Sequence, residues 1–505
     1  MLKGSILYHK ILEILWVTAI IGLPLTSFPF IIKLTHSMVA PFSAAPAALL
    51  ALLWLIPYLL QNGKLPLETG LLFLFLLVSI AAAAGAFFID IPTYRSKTIF
   101  SQEIEAFITL GLGLIFYLVF AAWPNTTRRL QQTLRWVSVG GFLHLVWCLT
   151  QIHLIITKAS SHPAWVLKIQ SILVFQPENI FSGFPRVTGL TFEPSWFAHQ
   201  MVLIYLPVWF AATLTRQSSF RKLVLGISIE NILLVWGMIS FLLSSPRISL
   251  LGLFLGLVFL VGKFTLWLIH RFTELVIKHW LKDSRKSVRL LRTAIGTAIG
   301  VLILVLFLSS AFGLIVLTSQ YDYRMALLLK QPPTLKDITG VLTIDEDILL
   351  RFGLHNFFLE RTAYWITGMR VFENFPLFGV GLGNTGFFGM DKMPILGWSS
   401  YEIRTLFYRQ DGLMNTKSLW VRLLSETGLV GFSIFGIWLY FHWRSASLMS
   451  KDRNSLLRWI GMAGQFCFLA LIAEGFSIDS FALPYLWFGT GLVAAAGLVY
   501  RQHKL

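Results

Sequence analysis

Charge is scarce in this sequence. Only 13% of its 505 residues are Asp, Glu, Lys or Arg, against roughly 25% in soluble domains, so a water-facing surface all round is excluded. Acidic residues are scarcer still, 24 against 41 Lys and Arg. Cysteine is nearly absent. Cys148 and Cys467 both stand in apolar runs, which leaves neither a disulfide framework nor a four-cysteine zinc site. No two of the 11 histidines lie three or four residues apart, and no Walker A or G-x-S-x-G sequence occurs. Zincin, P-loop and serine-esterase chemistry each lack their signature.

Apolar sequence takes up the room: 56% of the chain is hydrophobic and the mean hydropathy is +0.71. Windows of about 20 residues, long enough to cross a bilayer, fall near 11–33, 44–61, 67–90, 104–123, 134–158, 197–214, 223–243, 248–270, 293–317, 421–443, 456–475 and 483–500. They predict an all-α polytopic membrane protein, a single transmembrane domain over 1–505 with about twelve spans. No A-x-A cleavage site follows the first run, so it is expected to be span one rather than a removed signal peptide.

The net charge of +17 must then be weighed against loop topology before any partner is invoked. Lys64, then Arg128, Arg129 and Arg135, then Arg216, Arg221 and Lys222, then Arg444, Lys451, Arg453 and Arg458 fall in alternate loops. Between Arg271 and Arg292 basic residues interleave with Trp280, Leu281 and Val288, the pattern of an interfacial amphipathic helix. The positive-inside bias therefore predicts cytoplasmic termini and leaves nucleic-acid binding without support. Two segments on the opposite side break the pattern, about 158–194 and a large extracytoplasmic loop, 318–417, before span ten. A loop that long in a compact bundle is usually functional. Arg324, Arg351, Arg361, Arg370, Arg404, Arg409 and Lys417 collect in it with no topological reason, and an anionic ligand is the economical one.

Inside that loop, residues 357–373 place apolar groups at helical spacing and stop before Pro376, which predicts a helix. The run FPLFGVGLGNTGFFG follows, a glycine-rich turn whose backbone can approach a ligand closely. Gly381, Gly383 and Gly386 spell G-x-G-x-x-G but open no βαβ unit, so no dinucleotide site is expected. Asp345 and Asp347 are read as a solvated acidic turn. Glu426 is expected to pair with Arg422 four residues before it or to cap the helix.

Two single arginines carry more information. Arg186 in SGFPRVTGLTFEPSWFAHQ lies just before span six, and Arg247 in FLLSSPRISLLG sits in the turn between spans seven and eight. Each stands beside a glycine or proline turn with Glu193 and Ser195, or Ser244, Ser245 and Ser249, close by. A guanidinium matches two phosphate oxygens at once. The chemistry suggested is the handling of a lipid-linked diphosphate at the outer leaflet.

With RTAYWITGMRVFENFPLFGVGLGN and KSLWVRLLSETGLVGFSIFGIWL, these stretches fall in one order over residues 180–445. The chain there resembles the O-antigen ligase and O-antigen polymerase superfamily of bacterial integral membrane glycosyltransferases. The resemblance implies a metal-independent, inverting transfer that needs no cofactor. The donor is a glycan on undecaprenyl diphosphate, the acceptor a saccharide or a lipid. The work is done at the outer face of the bacterial inner membrane, in O-antigen or exopolysaccharide assembly. Arg186 and Arg247 match the family's two arginines, and Glu193 and Arg361 are expected beside them on the substrate. The family's H-N-x9-G stretch aligns with Lys417, Ser418 and Gly428, so the histidine that activates the acceptor is missing. Lys417 takes its place as candidate base, provided that neighbouring cations such as Arg422 lower its pKa below the ordinary ~10.4; His355 is the second candidate. That departure favours polymerase over ligase. The alternative is a transporter, a lipid-linked glycan flippase or small-anion carrier, although the two halves of the chain carry no matching interrupted helices.

Overall fold

The computed structural model describes residues 6–157, 162–176, 186–220, 226–244, 247–280, 285–320, 322–332, 334–343, 345–410 and 412–504. Among them there are helices and two isolated bridges but no strand. In chain order the main helices are α1 (Ile6–Ile21), α2 (Ala44–Leu60), α3 (Thr69–Ala86), α4 (Ile99–Ala122), α5 (Thr127–Thr157), α6 (Pro194–Thr215), α7 (Ile229–Leu243), α8 (Arg247–Trp280), α9 (Arg285–Ser319), α10 (Leu359–Asn374), α11 (Leu419–Met449), α12 (Ser455–Glu474) and α13 (Pro484–Lys504).

Eight of these are long and apolar enough to cross a membrane, namely α3 to α6, α8, α9, α11 and α12. The chain is a multi-pass membrane protein. The other four apolar windows also fold as helix but fall short of that measure: α1 has 16 residues and α7 has 15. In α1, Gly22 and Pro24 end the helix well before residue 33, because proline cannot donate to the ladder. The stretch 271–292 forms the ends of α8 and α9 with residues 281–284, outside the described residues, between them.

α12 is the pillar of the bundle, packed against α6, α8, α11 and α13, while α4 lies along α13 and α3 along α11. Its Trp459, Phe466 and Leu471 are buried with Trp209 of α6 and Trp487 of α13 in one continuous apolar core. α9 is different. Among the described residues its apolar window is not buried within the protein, and its main contacts are with α8 and the short helix Tyr323–Lys330, as for a helix facing lipid.

Between α9 and α11 the chain folds into a helical cap with a separate core, in which Leu350, Tyr364, Val380 and Phe407 meet Tyr94 from the α3–α4 connection. The helix expected over 357–373 is α10. The D-x-D aspartates serve helix Glu346–His355: Asp345 caps it by accepting from the Ile348 N–H, and Asp347 lies in its first turn.

The glycine-rich turn does not wait for a ligand along its length. Gly428 interrupts α11 with φ of 64°, and the turn is stitched into that break. The N–H groups of Val380 and Gly381 donate to the carbonyls of Ser425 and Glu426, and those of Leu429 and Val430 donate to Pro376 and Leu377. A Cβ on Gly428 would lie 2.2 Å from the Leu377 oxygen, and one on Gly379 would lie 2.5 Å from Glu426. Only glycine permits both the left-handed backbone and this approach.

Candidate active site

Where the cap meets the bundle, a cavity of about 330 Å³ is lined by Arg186, Arg247, Arg324, Arg361, Glu193 and Lys417, among others. Arg186 and Glu193 flank a turn built by buried polar groups of α5. The Gln151 amide donates to Thr188 Oγ1 at 2.8 Å and the Gly189 carbonyl at 3.1 Å, and its oxygen accepts from the N–H groups of both residues. His144 Nδ1 accepts from Leu190. Gly189 adopts φ of 56°, and a Cβ there would meet the His144 ring at 2.5 Å. The turn is therefore fixed on both sides, and Arg186 leaves it to donate through Nε to the Ser244 carbonyl at 2.8 Å. Burial, and after it the neighbouring Arg324, pull its guanidinium down to about 10, against the opposing effect of Asp322 and Glu193.

Arg247 begins α8. Its Nη1 donates to the Asn356 carbonyl and its Nη2 to that of Phe357 at 2.8 Å, with the guanidinium over the Phe358 ring. Arg361 of α10 approaches the same ring and donates to Ser477 Oγ at 2.9 Å. Arg324 forms a fork with Asp322 at 2.6 and 2.9 Å. Lys417 adopts φ of 53°, with its N–H donating to Asn415 Oδ1. A non-glycine residue in this conformation is uncommon and is held only where the surroundings fix it. Ser245 and Pro246 lie outside the described residues.

Five of the six residues singled out from the sequence thus line one cavity. The sixth, His355, does not. It is exposed at the end of its helix, with Nδ1 bonded to the Arg351 carbonyl, and lines none of the cavities described here. Glu426 bonds Arg422 at 2.9 Å as the spacing predicted.

Other lining groups were not legible in advance. His199 of α6 is buried in the cavity wall with Nδ1 bonded to Glu474 of α12, itself fully buried; their separation of 275 residues hides the pair from any spacing rule. Tyr364 and Glu402 come from the cap. Burial pushes the Tyr364 phenol up, so it stays a neutral donor. Arg324 had a weak signal as one of the loop's surplus cations.

Two features extend the cavity. An apolar groove of about 430 Å³ runs from Arg247 between α8 and α9, lined by Leu250, Phe254, Leu257, Phe307 and Leu314. A second polar chamber of about 510 Å³ shares Glu193, Arg361, Lys417 and Ser477 with the first.

Residues 232–436 match the family model described as O-antigen ligase. The match supports the O-antigen ligase and polymerase superfamily. It takes in Arg247, the cap with Arg324 and Arg361, Lys417 and the Gly428 break, and that superfamily is the one the ordered motifs resemble. The match to this family model supports a glycosyltransferase of the ligase or polymerase type. Arg186 and Glu193 precede the matched stretch. No curated protein matches the chain.

Proposed function

We propose that the protein moves a glycan from undecaprenyl diphosphate to a saccharide or lipid acceptor at the outer face of the bacterial inner membrane. One observation carries this: a cavity with four arginines and a lysine shares Arg247 with an apolar groove between two long helices. Its ligand has a charged, phosphate-like head joined to a long hydrocarbon tail. Each buried methylene of that tail contributes about 0.8 kcal/mol, and each guanidinium offers a fork to phosphate oxygens.

In this proposal Arg186, Arg247 and Arg361 hold the diphosphate, and Lys417 adds charge at the boundary with the second chamber. A diphosphate is already a good leaving group, so the step needs neutralisation of developing charge more than acid catalysis. The cations supply it, and transfer inverts the anomeric centre by direct displacement. Lys417 in the place of a histidine favours chain polymerisation over ligation. The alternate-loop cations support cytoplasmic termini and an outward-facing cap.

The test uses purified protein in nanodiscs with labelled lipid-linked donor. The wild type should retain the donor and elongate a saccharide acceptor, and Arg186→Ala or Arg247→Ala should lose retention. Donor crossing the bilayer with no glycan transferred would support the transporter instead.

A further inference from the structure

We infer that the second chamber is an acceptor-saccharide site and that Glu193, at its threshold, takes the proton from the attacking hydroxyl. This rests on the proposed glycosyl transfer. The chamber keeps cations of its own, Lys97 and Arg422, beside the shared Arg361 and Lys417, with Arg422 bonded to Glu426. Its walls include the indole of Trp196 and the ring of Phe192, 5.2 Å apart between centroids, with Gln102, Glu105, Asn415 and Asp479 around them. Aromatic faces beside amides and carboxylates suit a sugar, which presents C–H faces and hydroxyls that both donate and accept. At about 510 Å³ it falls in the size range of small-molecule sites.

A base must reach the acceptor oxygen and the anomeric carbon together, so it belongs where the two chambers meet. Of the four residues that line both, Glu193, Arg361, Lys417 and Ser477, only Glu193 and Lys417 can accept the proton readily. Carboxylates are ordinarily in the base form at neutral pH and lysines ordinarily protonated. A neutral Lys417 would also withdraw charge from the departing diphosphate when that charge is needed most. The two roles therefore divide, Lys417 as cation and Glu193 as base. Glu193 is set for this by its place immediately before Pro194, with an extended backbone and its Oε1 accepting from Ser195 Oγ.

In the step, the acceptor hydroxyl gives its proton to the Glu193 carboxylate while its oxygen bonds the anomeric carbon. The bond from that carbon to the phosphate oxygen breaks, and its electron pair leaves with undecaprenyl diphosphate. The proton on Glu193 then passes to water.

Glu193→Gln should cut saccharide transfer by roughly 10²–10⁴-fold, the usual worth of a general base, with donor retention within about twofold of wild type. Azide needs no deprotonation, so the same variant should still form glycosyl azide from the donor, which also shows that it is folded. Trp196→Ala should raise the acceptor KM with donor retention unchanged. Glu193→Gln at wild-type rate, or Lys417→Ala losing saccharide transfer but keeping both donor retention and azide transfer, would overturn the assignment. Wild-type protein that neither retains nor transfers the donor would instead sink the proposed function itself.

Discussion

Arg247→Lys separates a bidentate phosphate contact from simple positive charge. The guanidinium serves two backbone carbonyls, lies over Phe358 and borders both the polar cavity and the apolar groove. A lysine keeps the charge but has one nitrogen where arginine has a planar fork. Losing one charge-assisted hydrogen bond to phosphate costs about 1.5–3 kcal/mol, which at about 1.4 kcal/mol per decade is a roughly 10- to 150-fold loss of donor affinity. Arg247→Ala should lose at least as much. The measurement is retention of labelled polyprenyl diphosphate in nanodiscs, beside glycan formation in a deletion strain with protein level checked. A lysine variant with wild-type retention would reduce Arg247 to an interfacial anchor and remove the central contact of the proposed donor site.

Three further outcomes are expected. Cysteines placed at 361 and 285 should react with a membrane-impermeant reagent in spheroplasts at 361 only; the reverse pattern would invert the topology and carry the proposed site to the wrong side. His199→Ala leaves the buried Glu474 side chain without its hydrogen-bond partner and should cost about 1–3 kcal/mol, read as a lower melting temperature in detergent, whereas Glu474→Gln, which keeps a hydrogen-bonding partner, should cost less; equal melting of both variants and wild type would deny the pair its structural role. Gly428→Ala should destabilise by at least roughly 1–3 kcal/mol from its backbone angle alone, with the clash against Leu377 added, and normal thermal stability would mean that the break in α11 is adaptable.

That the motif arginines would come together in one cavity was legible because each sits at a turn, where a hydrophobic window ends and a charge has no other reason to be. Such positions converge when helices of similar length stand side by side. Span count was less legible, since a window of apolar residues says nothing of Pro24 or of the π turn Ala51–Leu55 in α2. The glycine-rich run showed that a backbone would come close to something but not to what. Its partner is the break in α11, although Gly383 does border the second chamber. His355 was drawn in by residue type and stands apart, because a loop of helices does not bring every polar group to its lower face. The groove between α8 and α9 reads in sequence as two ordinary apolar windows, and only their packing reveals the furrow.

The stitching of the cap into the break of α11 also fixes the routes of traffic. Four backbone hydrogen bonds join the two segments, and the cap is pinned again by Arg361 on Ser477 and by Arg247 on the carbonyls of Asn356 and Phe357. At about 1 kcal/mol net for each backbone bond, raising the cap as a lid means breaking all of them together. It behaves as a roof clamped at both ends rather than a door. Among the described residues α9 makes its main contacts with α8 and one short helix. A lipid-borne molecule of the proposed kind would therefore enter and leave sideways, through the wall between α8 and α9, while the roof overhead stays still.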